Sequence, residues 1–185
     1  MQPIKDLKME HDAVRMTLRI LDKICQQIEK SGEIMDLQHL DQLLEFFKVF
    51  VDKCHHGKEE ELLFPALENV GVSRKGGPIG VLLHEHQQGR EHVQAMKAAL
   101  SQNTKGNRKA VAEFVKTARG YINLLDQHID KENGVLFPLA EKHLSEQEQE
   151  KLWEGFEMIE TQKIGVGKHD EFHKMLDKLE SFYLK

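Results

Sequence analysis

The amino-acid sequence predicts an all-α protein in which four long amphipathic helices form an up-and-down bundle, followed by additional C-terminal helices. Three observations lead to this fold class. Apolar residues recur at steps of three and four along four long segments, as on one face of an α-helix. No segment alternates apolar and polar residues at period two, so strands are not indicated. Finally, the second half of the four-helix region repeats the first half.

The first two helices form the first half of this repeat. Apolar residues run through residues 4–28, His11 takes the one vacant place in that series, and Gly32 supplies a stop. The second stripe covers residues 40–62 and carries a His and a Glu onto its apolar face. Pro65 is expected to kink the helix or restart it, because proline lacks a backbone donor.

The second pair of helices follows a Gly- and Pro-rich loop at residues 71–78. A third stripe covers residues 79–100, and a fourth covers residues 111–138, with a second linker at residues 102–107 between them. Four amphipathic helices in series, joined by short connections, indicate antiparallel neighbours in a bundle.

The C-terminal part of the chain departs from the repeat. Ser145 and Glu148 have the spacing of a capping box, which predicts a short helix. A Gly-Val-Gly turn then separates a last helix near residues 168–184. We therefore expect two regions, a four-helix bundle over residues 1–144 and a C-terminal helical extension over residues 145–185 packed on it.

The segments HHGKEEELLFP and HIDKENGVLFP are near-copies of one another. Aligning their Leu-Phe-Pro ends pairs His55, and not His56, with His128, and it pairs Glu59 with Glu132. The alternative register, which uses His56 and the residue after Glu59 as the HxxxE pair, breaks this alignment. An internal repeat of this length indicates one supersecondary unit used twice around a shared core.

A second, shorter repeated segment lies upstream of each copy. Aligning its two occurrences, EHDAVR and EHQQGR, pairs His11 with His86. Residues four apart share one face of a helix, so each HxxxE can present an imidazole and a carboxylate to a common point. Burying these groups among leucines and phenylalanines costs free energy that a bound cation offsets. The sequence therefore predicts a dinuclear metal site with four terminal histidines and two bridging glutamates: His11, His55, His86, His128, Glu59 and Glu132.

Imidazole and carboxylate ligands without thiolate favour iron, manganese or zinc, and a pair of irons fits two bridging carboxylates best. Glu10, Arg15, Glu85 and Arg90 flank the upstream histidines. Two roles are open for each of them: a hydrogen bond that orients a metal-bound imidazole, or a solvated ion pair.

The chain resembles the hemerythrin-like family, also called the HHE cation-binding domain, whose pattern is His, HxxxE, His, HxxxE on four helices. The resemblance covers roughly residues 4–142 and includes the Phe-Pro after each HxxxE. It implies a four-helix bundle of hemerythrin type that holds two iron ions, Fe²⁺ or Fe³⁺, with an oxo or hydroxo bridge. It also implies a small ligand, namely oxygen, nitric oxide or peroxide.

One departure from the family concerns the number of histidines. Oxygen-carrying hemerythrins use five, whereas the repeat in this chain supplies four. Our hypothesis is that His169, at the start of the last predicted helix, folds back as an extra ligand or as a hydrogen-bond donor near the site. An unchanged iron content and optical spectrum in His169→Ala would contradict it.

The leading functional hypothesis is a non-heme di-iron protein that binds or senses a small gas, oxygen or nitric oxide. Two alternatives stay open. One is a di-iron enzyme that reduces peroxide or nitric oxide with the help of an electron-donor protein, and the other is an iron storage or sensing protein. Ferritin-like oxidases are disfavoured because they use an ExxH order, whereas both motifs here place His before Glu.

Composition excludes several other classes. The chain has 26 basic and 31 acidic residues and no basic block, so nucleic acid is not an expected partner. No segment approaches the roughly 18 apolar residues of a membrane span, and the first residues do not read as a signal peptide. We therefore expect a cytoplasmic protein without a membrane partner.

Overall fold

The structure, a computed structural model, describes residues 1–102 and 107–185, and all regular secondary structure in these ranges is helical. The predicted all-α fold class is confirmed. The α-helices are α1 (Gln2–Ser31), α2 (Leu37–Phe46), α3 (Phe64–Asn69), α4 (Pro78–Ser101), α5 (Arg108–Lys131), α6 (Phe137–His143), α7 (Glu146–Met158) and α8 (Lys168–Tyr183). Four further segments are π-helical: Phe47–His56, Glu59–Leu63, Glu132–Leu136 and Ile159–Gly165.

Two helix ends lie where the sequence predicts them. α1 stops at Gly32, which takes the left-handed conformation with φ 75° and donates its N–H to the carbonyl of Ile28. α7 begins with a complete capping box between Ser145 and Glu148. Most of the predicted linker at residues 102–107 lies outside the described residues.

Both Phe-Pro sequences restart an α-helix directly after a π-helical turn. The N–H that precedes Pro65 donates to the carbonyl of Glu59, and the N–H that precedes Pro138 donates to the carbonyl of Glu132, five residues back in each case. A proline ring clashes with the carbonyl four residues earlier in an α-helix, and the wider turn accommodates the ring. The chain therefore continues as a helix through both prolines.

The long helical runs pack around two apolar clusters. α5 contacts both α1 and α4, and the run that begins with α2 contacts α1 and α4. On α1, Leu7 belongs to one cluster, Ala13 belongs to the other, and His11 lies between them in sequence. The buried histidines and glutamates of the repeat thus form a polar layer where one cluster gives way to the other.

The C-terminal extension packs on α1 and on the run that contains the first HxxxE. α7 contacts α1 and the segment Glu59–Leu63, while α8 contacts α1 and α2. Gly155 permits a close approach, because a Cβ atom there would lie 2.7 Å from Cδ1 of Leu62. None of the described helices has the length and apolar character needed to cross a membrane.

Candidate metal centre

Six of the seven predicted site residues lie together in the polar layer, and each is at most 2% exposed. They come from four helical runs. The histidines come from α1, the segment Phe47–His56, α4 and the last turns of α5: His11, His55, His86 and His128. The glutamates, Glu59 and Glu132, are the first residues of the two π-helical turns that precede Phe-Pro. The structure therefore brings both HxxxE pairs to one interior space.

The side chains of the polar layer form two groups that share both glutamates. His11 and His55 belong to one group, His86 and His128 belong to the other, and Glu59 and Glu132 belong to both. In each group one nitrogen or oxygen per residue lies within 4.8 Å of the others. A metal ion binds each such atom at about 2 Å, so two ligand atoms of one ion lie at most about 4 Å apart. The side chains therefore need only a small inward shift to coordinate an ion.

Several buried atoms of this layer have no hydrogen-bond partner among the described residues. They are Nε2 of His55, both carboxylate oxygens of Glu59 and Oε1 of Glu132. Burying such atoms without a partner costs free energy, and a carboxylate pair buried without a counter-charge costs more. A cation bound at this point would satisfy them, so the residues fit a dinuclear metal centre.

The Nδ1 atoms of the four predicted histidines, His11, His55, His86 and His128, are all hydrogen-bonded. Nδ1 of His55 lies 2.7 Å from Glu10, and Nδ1 of His128 lies 3.0 Å from Glu85. Of the two roles left open for these glutamates, the structure therefore shows the contact with an imidazole. Such partners fix the orientation of the ring. They leave Nε2 of His55 3.7 Å from Glu59 and Nε2 of His128 3.1 Å from Glu132, on the side of the shared carboxylates.

The other two histidines are held across the repeat by a position to which sequence analysis gave no orienting role, although Glu60 belongs to the alternative HxxxE register. Glu60 and Asn133 each follow a shared glutamate, and they contact Nδ1 of His86 at 2.7 Å and Nδ1 of His11 at 3.1 Å. The alignment pairs Glu60 with Asn133, and this pairing was the available signal. Each of these residues contacts a histidine of the other repeat, so each copy supplies the hydrogen bond that orients one histidine of the other copy.

The Phe-Pro phenylalanines follow the same crossed pattern. Phe137 stacks on His11 with ring centroids 5.3 Å apart, and Phe64 stacks on His86 with centroids 5.8 Å apart. Both rings are fully buried. They shield one face of each imidazole from water, and this gives the phenylalanine of the repeated motif a role beside the site.

The two flanking arginines have different surroundings. Arg90 donates to Glu60 and to Asp52, so it holds the carboxylate that contacts His86. Arg15 pairs with Asp130 at the surface, where the two side chains are 42% and 74% exposed. An orienting role is therefore observed for one arginine and a solvated ion pair for the other.

The carboxylates of the layer raise the pKa of two of its imidazoles, His86 and His128. Burial lowers the pKa of His128, but the negative charge of Glu132, 3.1 Å from Nε2, and the hydrogen bond with Glu85 outweigh this and raise the pKa to about 9. The pKa of His86 is also raised despite burial, because the carboxylates of Glu132, Glu59 and Glu60 all lie within 3.8 Å of its ring nitrogens. Burial raises the pKa of Glu132, and the neighbouring histidines hold it well below its usual range. The layer is thus built to contain positive charge.

His56 also lies inside this layer, although the duplication selects His55. Its ring stacks on that of His86 with centroids 3.7 Å apart, and its nitrogen lies in one group with His86 and His128. Consecutive side chains turn by roughly 80° in a π-helix and by about 100° in an α-helix, so both neighbours can face inward. Burial, followed by repulsion from His86, lowers the pKa of His56 well below its usual range.

The structure places His169 beside the polar layer, in a different group of side chains. Its Nε2 lies 3.4 Å from Sγ of Cys54 and 4.0 Å from Oε1 of Glu10. Glu160 completes this group. His169 is absent from the two groups that share the glutamates, and its nearest link to them is Glu10, which contacts His55.

The family model described as the hemerythrin HHE cation-binding domain matches residues 2–140. This chain belongs to that family. The match covers both HxxxE motifs and both upstream histidines, and it ends close to the point where the repeat ends. The family description names cation binding, in agreement with the paired groups of histidines and glutamates.

Two kinds of relatives are similar to this hemerythrin-type chain. The Uncharacterized protein Rv1995 of Mycobacterium tuberculosis is 24% identical over 175 residues, which are 95% of this chain and 66% of that protein. Iron-sulfur cluster repair protein YtfE is 36% identical in Salmonella newport and 31% in Dickeya chrysanthemi, over 46% of this chain and 40% of each relative. The chain thus spans just under two thirds of the mycobacterial protein. No solved structure matches.

Proposed function

We propose that this chain is a non-heme di-iron protein that binds or senses a small gas, oxygen or nitric oxide. The observation that carries the proposal is the sharing of Glu59 and Glu132 between two groups of buried histidines, in a layer with unpartnered carboxylate oxygens. Two carboxylates common to two sites suit bridging between two ions. Nitrogen and oxygen donors without thiolate suit iron.

We place this centre in an up-and-down four-helix bundle of residues 1–144, with residues 145–185 as an extension. The end of the family match at residue 140 and the capping box that opens α7 support this boundary. The packing of α5 between α1 and α4 supports antiparallel neighbours joined by short connections.

The protein side chains have three tasks in this proposal. Nε2 atoms and shared carboxylates hold the ions, the hydrogen bonds at Nδ1 fix the rings, and the stacked phenylalanines exclude water. When bound, the two irons would supply redox-active positions at which a small ligand can be held. Glu10, Glu60, Glu85 and Asn133 are the orienting residues.

His56 is our candidate for a fifth histidine at the centre. It shares a group with His86 and His128, so it would give one ion three histidines, whereas His11 and His55 give the other ion two. His169 is the weaker candidate for direct coordination, because its contacts are with Cys54 and Glu10. We assign it instead to the surroundings of His55, which it reaches through Glu10.

The first test is the metal content of protein purified anaerobically without added metal, together with its optical spectrum before and after exposure to air. About two irons per chain and a spectral change that reverses when the gas is removed are expected. One zinc per folded chain, or no metal, would contradict the di-iron proposal. Continuous consumption of peroxide or nitric oxide with a reductant would favour the enzyme over the gas binder.

A role in iron–sulfur cluster repair is the second candidate, and the similarity to the YtfE proteins over 46% of this chain favours it. In that case bound iron is released to an acceptor. The comparison to make is the transfer of iron from the loaded protein to a cluster-free ferredoxin against transfer from the same amount of free iron. Faster cluster formation with the loaded protein would favour repair, and retention of the iron would favour gas binding.

A further inference from the structure

A cavity of about 300 Å³ opens beside the polar layer, between the segment Phe47–His56 and α4. Its walls include both apolar and charged side chains, and His56 is part of its lining. A water molecule occupies about 30 Å³ in the liquid, so the volume suits a ligand with roughly ten non-hydrogen atoms. This is much more space than a diatomic gas needs.

The mouth of the cavity is positively charged. Lys48, Lys53 and Lys97 all contribute to its lining and are exposed, and none of them forms an ion pair with a described residue. Asp52 is the one carboxylate among the described residues of the lining, and Arg90 already binds it at 2.7 Å. Uncompensated lysines around a concave site attract an anion.

The wall beneath these lysines is apolar. Phe47 and Tyr121 are almost fully buried and contact each other edge to face, with ring centroids 4.8 Å apart. Val93 on α4 is half-buried and also lines the cavity. An apolar wall with a few polar groups is typical of sites for organic molecules, and it would give an inorganic anion no favourable contact.

His56, one of the lining residues, has a ring nitrogen without a hydrogen-bond partner among the described residues. Its Nδ1 is buried and lies 3.7 Å from Oδ1 of Asp52, which is too long for a hydrogen bond. The other four histidines of the polar layer all have a hydrogen-bond partner at Nδ1. An acceptor atom of a cavity ligand would complete the pattern at His56.

We propose that this cavity binds a small organic carboxylate with a hydrogen-bond acceptor at its opposite end. The carboxylate lies between Lys53 and Lys97, the apolar body lies against Phe47 and Val93, and the acceptor faces Nδ1 of His56. The site goes beyond gas binding, and its lysines and apolar wall do not depend on which metal the centre holds. His56 would connect the two sites.

The test is isothermal titration of the purified protein, as isolated, with 4-hydroxybenzoate as the probe. Saturable binding is expected, and 4-hydroxybenzyl alcohol, which lacks the carboxylate, should bind about tenfold more weakly. No saturable binding, or equal binding of the neutral alcohol, would overturn the proposal. Equal binding of inorganic phosphate would overturn the role of the apolar wall, and equal binding of benzoate would overturn the role of His56.

Matched variants locate the site. Lys53→Gln with Lys97→Gln should weaken 4-hydroxybenzoate binding about tenfold. Lys109→Gln with Lys116→Gln removes the same charge from exposed positions on α5 outside the cavity lining, and it should leave binding unchanged. Equal losses in the two double variants would mean that net charge alone attracts the probe, which contradicts a cavity site.

A substitution that fills the cavity separates packing from charge. Val93→Phe should also weaken the binding of 4-hydroxybenzoate, while an unchanged helical circular dichroism spectrum confirms that the variant folds. Undiminished binding in folded Val93→Phe would place the probe elsewhere. Because these measurements record heat of binding, they can fail while the iron content and gas response of the protein remain as proposed.

Discussion

The two sequence repeats build the same three-residue unit, but the two units differ in burial. In each unit, a glutamate contacts Nδ1 of a site histidine. The same glutamate accepts a hydrogen bond from a lysine that lies one helical turn after that histidine. The units are Glu10–His55–Lys58 and Glu85–His128–Lys131. The lysine side chain is fully buried in the first unit and 41% exposed in the second.

The C-terminal extension contributes to this difference, together with α1. Glu160, from the segment after α7, pairs with Lys58, and Asp6 on α1 pairs with the same ammonium group at 2.9 Å. Lys131 has Glu85 as its partner. The repeat therefore orients the histidine in both halves, whereas the extension turns one solvated ion pair into a buried network. A buried network is more costly to break, because the groups left behind cannot be fully hydrated.

The largest effect is expected where the two halves are equivalent. Glu59→Ala and Glu132→Ala should each lose most of one iron equivalent per chain, because each removes a carboxylate shared by both groups. Iron analysis after identical anaerobic purification measures this loss. Retention of two irons in both variants would refute the bridging role, and a loss in only one would show that the halves are unequal at the metal itself.

The buried lysine should matter more to stability than its counterpart. Lys58→Met leaves Asp6, Glu10 and Glu160 without their cation, and we expect a loss of about 3 kcal/mol in the free energy of unfolding. Lys131→Met removes a partly exposed pair and should cost less than about 1 kcal/mol. Urea denaturation of both variants at matched iron content gives the two values. Similar losses would mean that the extension does not strengthen the first unit.

His56 and His169 form a second matched pair. His56→Ala should weaken metal binding, because His56 lies in one group with His86 and His128. His169→Ala should keep both irons and lower the affinity less, because it contacts the centre only through Glu10. Competition with a chelator measures both affinities. The opposite ranking would restore His169 as the fifth histidine.

The smallest effect concerns protons. The pKa of His128 is raised to about 9, so this imidazole is protonated at pH 7 in the metal-free chain, and the pKa of His86 is raised as well. A metal binds the neutral ring, so loading at pH 7 should release protons, and the apparent affinity should rise with pH until about pH 9. A pH-indicator dye in weak buffer detects the release. Equal release at pH 7 and above pH 9 would contradict the raised pKa of His128.

The sequence predicted the fold class and the grouping of six side chains, because both depend on local periodicity. A helix places residues four apart on one face, so the HxxxE spacing and the apolar stripes carried the necessary information. The same reasoning placed the stop at Gly32 and the capping box at Ser145, both confirmed by the structure. Membership in the hemerythrin HHE family is likewise confirmed by the match over residues 2–140.

Contacts across the repeat could not be derived in this way. Asn133 and Glu60 hold histidines of the opposite copy, and nothing in local periodicity tells which helices meet. The inward position of His56 depends on a π-helical segment, and a duplication alignment assumes equal helix geometry in both copies. Here the second copy is α-helical up to Lys131.

The sequence by itself determined that the chain is helical, that it is built from a duplicated unit, and that its repeated histidines and glutamates face one interior. Local hydrogen bonding and side-chain period fix these features. The tertiary structure alone decided that Lys58 is buried while Lys131 is exposed, and that His169 contacts Glu10 and Cys54. These differences arise because the extension packs on α1 and the first HxxxE run, and such packing depends on surfaces far apart in the chain.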